Sequence, residues 1–549
     1  MKNIIKYVLV GVAIFSVTSC IDEVVPQTSS VTKDQAGNAP GAFDNFVAGL
    51  TSSLCGDFQF GTSYPYDFGY PSFYIQRDVM GQDMVIDDDG DWYQSWYCCG
   101  TGLGPQYLVC QLPMTYYYGW INDCNTVIGM AGDSPSELQK NGTGIARALR
   151  AMFYMDIAQM FSQETYLANP QALTCPLRTD KNASQTHVAR ATNEQMFEFI
   201  INDLNLAEEY LEDYVRTDVY TPDQSVVFGL KARAYLLMGE WAKAEEYAKK
   251  AQEGYTIMTA DQYLSRTEGF NTPNDSWMFG LTFKASDPNI TENDGDCSWG
   301  SQMIVEVHES GMGYAANYGH PKRIDAHLYN TIPETDFRKK CFVDPAIDEM
   351  DDEAAYDALL EYTDSPSEIY GAGQSSNNGI MGLLELKFRP KGGINANQYV
   401  AWTVALPIMR VEEMKLIEIE AAGRQDEARG IQLLTEFAKT RNPEYNYEDQ
   451  NADAYNNTTT GTFVNKVWWQ RRVEFWGEGI ATYDIKRLQK GIIRSYAGTN
   501  HPTDYRWNTT TVPSWMTWCF VQTESNYNNL LEQNPTPTHE KGDDPAYAW

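Results

Sequence analysis

Apolar residues recur at helical spacing through most of the chain, commonly as two runs separated by a short break. Residues 116–130 predict one helix, and residues 137–161 predict another around a break at Gly142 and Gly144. Thr192 with Gln195 forms a capping-box pattern, after which Met196, Phe199, Ile200 and Leu204 keep one helical face. Residues 225–238 and 242–253 predict a helix pair broken at Gly239, with Ala232, Ala234, Ala244 and Ala248 where two helices approach closely. Residues 412–422 and 426–440 predict a second pair around Gly423, and Gly423 precedes Ala428 by the same five positions as Gly239 precedes Ala244. Between residues 255 and 406 the periodicity fades. Glycine, asparagine, proline and aromatics dominate there, with short alternating runs at 303–307 and 384–388 that predict strands within long loops.

The two helix pairs resemble tetratricopeptide units, repeats of roughly 34 residues. Their wide separation excludes a simple tandem solenoid. No Pro/Ser/Gly linker divides the chain after about residue 38, so residues 41–549 are expected to form one mainly α domain, a helical scaffold carrying an irregular insertion at about 255–406.

Near the C-terminus runs Val467-Trp-Trp-Gln-Arg-Arg-Val-Glu-Phe-Trp-Gly-Glu-Gly-Ile-Ala-Thr-Tyr-Asp-Ile-Lys-Arg-Leu-Gln-Lys-Gly491. Trp469, Val473 and Trp476 share a helix face, Gly477 and Gly479 end the helix, and a second helical run starts near Ala481. Arg471, Arg472, Glu474, Glu478 and Asp484 lie among large apolar groups, where charge is tolerated only when paired, so an internal ion-pair network is expected. This stretch closely resembles the signature of the SusD/RagB family, surface lipoproteins of Bacteroidota that capture nutrients for a TonB-dependent transporter. The segments beginning Lys231-Ala-Arg-Ala-Tyr and Arg410-Val-Glu-Glu-Met, and residues 528–535, are similar to other family patterns. The resemblance therefore spans the chain from the tether onwards. It departs at Ala481, where the family often has Arg. It implies a SusD-like fold with dispersed tetratricopeptide-like pairs interrupted by long insertions.

The N-terminus points the same way. Lys2 and Lys6 precede an apolar run over residues 7–17, and Val17-Thr18-Ser19-Cys20 follows. A basic start, a short apolar run and small residues describe a secretory signal over residues 1–19. Cys20 looks like the acylated residue of a bacterial lipobox; an ordinary signal peptide with an incidental cysteine is the alternative. Residues 20–40 then form a lipidated cysteine and a flexible tether, and by family analogy the acidic pair Asp22-Glu23 sorts the protein to the outer face of the outer membrane. No later segment approaches the length of a membrane-spanning helix. A net charge of −33 argues against nucleic acid and against direct contact with anionic head groups. Ten cysteines less Cys20 leave an odd number, so at least one thiol is unpaired, and Cys98-Cys99 reads as two small core residues.

Catalytic motifs are absent. There is no nucleophile elbow and no P-loop, and His308-Glu309-Ser-Gly-Met312 has Met where a zincin needs its second His. Asp87-Asp-Asp-Gly-Asp91 resembles part of a calcium loop but lacks the trailing bidentate Glu, so a plain acidic turn competes with a calcium site. No cofactor or metal is expected. Aromatics are the more useful signal. Flat rings match the C–H faces of sugars while Asp, Asn, Gln or Arg match their hydroxyl rims. Trp92, Tyr93, Trp96 and Tyr97 follow the acidic turn, and Trp92 and Trp96 can share one platform if the segment is helical. Trp299, Tyr314 and Tyr318 lie in the insertion beside Asn317 and His320. The family resemblance implies binding surfaces from an early loop and a middle insertion, which selects these two clusters; core or interface packing is the competing role for each residue. The dense run Tyr64, Tyr66, Phe68, Tyr70, Phe73, Tyr74 reads instead as packing of an N-terminal loop.

These readings converge on a non-enzymatic surface lipoprotein that captures oligosaccharide for a SusC-like TonB-dependent transporter. A peptide-binding RagB-like role is the alternative, followed by a surface glycoside hydrolase and a purely structural or adhesin lipoprotein.

Overall fold

The computed structural model describes residues 41–87, 90–376, 379–449, 460–537 and 542–549. The leader, Cys20 and tether lie outside these residues, as do Asp88 and Asp89 of the acidic turn. The scaffold helices are α1 (Ala42–Ser52), α2 (Ser72–Val79), α3 (Gln94–Cys98), α4 (Leu108–Ala131), α5 (Glu137–Phe161), α6 (Asn193–Tyr210), α7 (Gln224–Met238), α8 (Trp241–Ala251), α9 (Val411–Gln425), α10 (Glu427–Lys439), α11 (Thr462–Glu474) and α12 (Ala481–Arg487). Helix α4 starts eight residues before its predicted start and contains Pro113, which read locally as a boundary because it removes one helical hydrogen bond. The capping box at Thr192 and Gln195 opens α6 as expected.

Two predicted breaks are packing glycines instead. Helix α5 runs unbroken through Gly142 and Gly144. A Cβ on Gly142 would lie 2.6 Å from Val47 of α1, and one on Gly144 would lie 2.8 Å from Leu211. Gly423 is likewise inside α9: a Cβ there would come within 2.0 Å of the Phe463 ring. Gly430 of α10 touches Gly423 backbone to backbone, and Asp426 marks the real break by capping α10. Gly239 does end its helix, with φ +76°. Helices α4 to α8 pack in succession, and α9 packs directly on α8 and on α10 and α11. The two tetratricopeptide-like pairs, far apart in sequence, are therefore neighbours in space.

Strands β1 (Met84–Val85), β2 (Leu173–Pro176), β3 (Arg190–Thr192), β4 (Trp277–Thr282), β5 (Arg323–Ile324) and β6 (Ala405–Arg410) form two-stranded antiparallel pairs β1–β5, β2–β3 and β4–β6. The insertion leaves the scaffold through β4 and returns through β6, with Thr282 opposite Ala405. Between them Val305, Ala315, Val343, Leu359, Ile369 and Leu384 belong to a second, smaller core. The predicted strands at 303–307 and 384–388 do not form. Trp299–Met303 is a helical turn capped by Ser298, and residues 384 and 385 make only isolated bridges. Met303, Ile304, Val305 and Val307 are all buried, so the alternation signalled a segment enclosed on every side rather than a two-faced strand.

The C-terminal signature forms the expected ion-pair network. Glu474 meets Arg338 at 3.1 Å, Arg410 at 3.2 Å and Arg441 at 3.1 Å, all buried. Glu478 pairs with Arg410 (2.7 Å) and Lys387 (2.6 Å), Glu412 with Arg410 (3.0 Å), Arg471 with Asp484 (2.6 Å), and Arg472 with Asp83 (2.5 Å). Where the family often places Arg, the Ala481 backbone N–H donates to Asp78, as does that of Gly479, and burial pushes the Asp78 carboxyl up to about 7. Among the described residues no disulfide forms between the nine cysteines, and the adjacent Cys98 and Cys99 are not bridged to each other.

Candidate ligand-binding surface

Charged anchors set the early loop. Asp91 is buried, accepts the Tyr93 N–H at 2.8 Å and pairs with Lys322 at 2.6 Å; Asp87 pairs with Arg323 at 3.0 Å. Both described ends of the acidic turn are thus neutralised by adjacent side chains of the insertion. Among the described residues no three His, Cys, Asp or Glu side chains cluster as metal ligands.

The turn directs Trp92 outward, 37% exposed, and its neighbours inward. Tyr93, Trp96 and Tyr97 are buried and form no ligand platform, because α3 starts only at Gln94 and turns its aromatic face to the core. Tyr93 hydrogen-bonds Ser72 at 3.0 Å, Trp96 packs edge-on against Tyr66, and Tyr97 lies under the Arg494 guanidinium. Trp299 is buried too, packed edge-on against Tyr74 and Phe388. These four predicted site residues belong to the core.

The other three come together from both predicted clusters. Trp92 meets Tyr314 edge-on with ring centres 6.3 Å apart, and Tyr314 meets Tyr318 at 5.2 Å. Tyr318 is 40% exposed. The Ser301 hydroxyl accepts the Tyr314 N–H, its carbonyl accepts the Ala315 N–H, and Gly313, at φ +97°, lets the loop pass against Trp402. His320 stacks on Tyr314, whereas Asn317 is committed to the carbonyls of Met312 and Val307.

Sequence reasoning missed several members of this surface. Tyr64 is half-buried and stacks at 5.9 Å on Tyr66, which packs edge-on to Trp92 at 6.2 Å; Tyr66, Phe68, Tyr70, Phe73 and Tyr74 are themselves buried, so the rest of that run is packing, as expected. Asp67 holds their loop by accepting the N–H groups of Gln59, Phe60 and Gly61. Tyr399, 40% exposed, donates to Asp294 at 3.0 Å. Asn293 and Asp294 both have positive φ, uncommon for residues with a Cβ. Asp296 is only 9% exposed, and its Oδ1 makes no hydrogen bond. Burial, then the neighbouring Asp294 charge, pushes its carboxyl up to about 6. Burial also raises the Tyr314 hydroxyl to about 12, with Asp296 adding to the effect. The result is a partly exposed aromatic surface, with the Asp294 carboxylate exposed nearby and Asp296 buried beside it.

No sequence-family profile matches the chain, and no curated protein matches it. Solved structures do. A SusD superfamily protein from Bacteroides vulgatus superimposes with a TM-score of 0.67 at 17% identity, over 90% of this chain and 98% of that one. One from Bacteroides thetaiotaomicron gives 0.66 at 18% identity, over 92% and 100%. This chain has the SusD-like fold. A further structural neighbour, surface glycan-binding protein A from Bacteroides thetaiotaomicron in complex with laminarihexaose, gives 0.63 at 16% identity, over 90% and 98%.

Proposed function

We propose that this chain is a non-enzymatic, surface-tethered glycan-binding lipoprotein of the SusD/RagB family. It captures oligosaccharide at the outer membrane and passes it to a SusC-like TonB-dependent transporter. The observation that carries the binding role is the partly exposed surface of Trp92, Tyr314 and Tyr318, with half-buried Tyr64 and the exposed Tyr399 and Asp294 in the neighbouring segments. Ring faces there suit the C–H faces of a sugar by desolvation and dispersion, and the exposed Asp294 suits its hydroxyls. The glycan-bound neighbour of the same fold supports this choice of ligand. Tethering and transfer rest on the lipobox-like Cys20 and on the family resemblance. Affinity for free sugar is expected to be modest, roughly micromolar to millimolar, because the transporter completes the enclosure.

Affinity electrophoresis of residues 21–549 through a panel of polysaccharides tests the binding role. Retardation by a glycan, abolished in Trp92→Ala with the melting curve unchanged, is the expected result. Retardation that survives Trp92→Ala overturns the choice of site. Silence toward glycans with calorimetric heat from peptides favours the RagB-like role instead. Co-purification of a TonB-dependent transporter from the native membrane tests the transfer role.

A further inference from the structure

We propose that a groove between α4 and the C-terminal segment is a second carbohydrate site, taking an uncharged stretch of oligosaccharide apart from the Trp92 surface. The groove encloses about 520 Å³, inside the range of small-ligand pockets, roughly 300–1,000 Å³. Helix α4 is its floor, the loop 176–183 is one wall, and the short helix Gln522–Tyr527 is the other. None of its lining residues belongs to the Trp92 surface. Its walls are fixed before any ligand arrives. The Tyr118 hydroxyl donates to the Pro176 carbonyl at 2.8 Å and the Asn125 amide to that of Arg178 at 3.2 Å, which seats the loop on α4. The Gln522 N–H donates to the Pro105 carbonyl at 2.8 Å and seats the short helix. Asn528 then ties the walls to each other, donating to the Val188 carbonyl at 2.8 Å and accepting its N–H at 3.2 Å. A groove built in this way gives up little freedom on binding.

The lining chemistry selects the ligand. Gln111, Thr115 and Asn122 share one face of α4, about 16 Å long at 1.5 Å per residue. Gln111 and Thr115 are half-buried and Asn122 is exposed, so a ligand can reach all three. None of these side chains has a hydrogen-bond partner among the described residues. Amides and hydroxyls donate and accept, as sugar hydroxyls do. Met114 and Tyr118 supply apolar surface between them, and Tyr527 stands on the rim at 76% exposure, the most exposed aromatic ring among the described residues. The two charged lining residues are of opposite sign and both are engaged within the protein. Arg178 donates to the carbonyls of Gln185 and Thr186, and Glu524 accepts from Asn528 at 3.2 Å. The groove is therefore neutral and favours an uncharged ligand. An extended peptide matches it less well: its residues recur about every 3.3 Å, whereas the free groups of the floor stand about 6 and 10 Å apart along the helix. This second site extends the proposed glycan-binding role and rests on it, because one polysaccharide engaging both places is held by avidity. Alone, at about millimolar affinity, the groove does not retain polysaccharide in a gel once Trp92 is gone.

The test uses residues 21–549 as wild type, Trp92→Ala, Gln111→Ala/Asn122→Ala, Tyr527→Ala, and Trp92→Ala combined with Gln111→Ala/Asn122→Ala. Each is run by affinity electrophoresis and by saturation-transfer NMR with millimolar laminarihexaose, maltohexaose and mannohexaose. In Trp92→Ala at least one hexasaccharide should still give saturation transfer, and adding Gln111→Ala/Asn122→Ala should remove it. With Trp92 intact, the groove variants should be retained by the polysaccharide about tenfold more weakly. Their melting temperatures should match wild type, since the altered side chains are exposed or half-buried and alanine suits a helix. No hexasaccharide signal in Trp92→Ala, while wild type binds, overturns the second site and leaves the Trp92 surface standing. A signal that survives the combined variant places the sugar elsewhere and also overturns it. So does a groove-dependent signal from a tryptic casein digest and from no hexasaccharide, which makes the groove a peptide site. If wild type binds no glycan at all, the Trp92 surface and the groove fall together.

Discussion

Replacing Glu474 by Gln probes the ion-pair network at its centre. The side chain is buried and meets three guanidinium groups at 3.1–3.2 Å. Four carboxylates (Glu474, Glu412, Glu478, Asp336) face four cations (Arg338, Arg410, Arg441, Lys387), so the buried set is balanced. Gln keeps the volume but leaves one uncompensated positive charge. Arg338 retains Asp336, and Arg410 and Arg441 share Glu412, so the loss is that of a broken buried pair, about 3–5 kcal/mol, rather than of three isolated ions. Denaturant unfolding followed by tryptophan fluorescence should show a lower midpoint at unchanged slope. The pH dependence has a definite sign. Arg441, Arg410 and Arg338 hold the Glu474 carboxyl well below the usual carboxylate range, against the opposing effect of burial. Its contribution is therefore complete above the unfolded carboxyl value, about 4.3, and declines as pH falls towards the folded value. The gap between wild type and variant should be full at pH 7 and shrink below about pH 4.5. A gap under about 1 kcal/mol at pH 7, or one that does not narrow in acid, would refute the reasoning.

Two further outcomes follow from the same geometry. Trp299→Ala should cost about 3–5 kcal/mol and lower the melting temperature, whereas Trp92→Ala should leave it nearly unchanged; equal shifts would contradict the assignment of one to the core and the other to the surface. Gly423→Ala forces a methyl against Phe463 and should cost about 1–3 kcal/mol in chemical denaturation, with partial recovery on adding Phe463→Leu; no cost would mean that α9, α10 and α11 pack less closely than described.

The scaffold was legible because its signals are local or self-consistent. Thr192 and Gln195 cap α6 within a single turn, and Glu474 and Arg471 declare a buried charge network by their apolar neighbours. Glycine was ambiguous: Gly239 and Gly423 sit in equivalent sequence settings, yet one ends a helix and the other clears space for Phe463. The binding surface was half legible for the same kind of reason. Residue type marked the aromatics, but exposure is decided by partners distant in sequence. Trp92 and Trp96 look alike locally, and it is Tyr66 and Tyr93, packed around Trp96, that separate them. Asp294 and Tyr399, hydrogen-bonded to each other, come from opposite ends of the insertion, and no short-range pattern connects them.

The β4–β6 pair has a consequence for how such proteins diversify. Because residues 282 and 405 stand opposite each other in one ladder, everything between them enters and leaves the scaffold at a single point. Asp294, Asp296, Tyr314, Tyr318 and Tyr399 all lie within that stretch, and it has a core of its own. The insertion is nevertheless tied back to the scaffold through Arg338, Lys387 and the β1–β5 pair, so length changes are tolerable only in the loops between those ties, where ligand choice can change without disturbing the helices beneath.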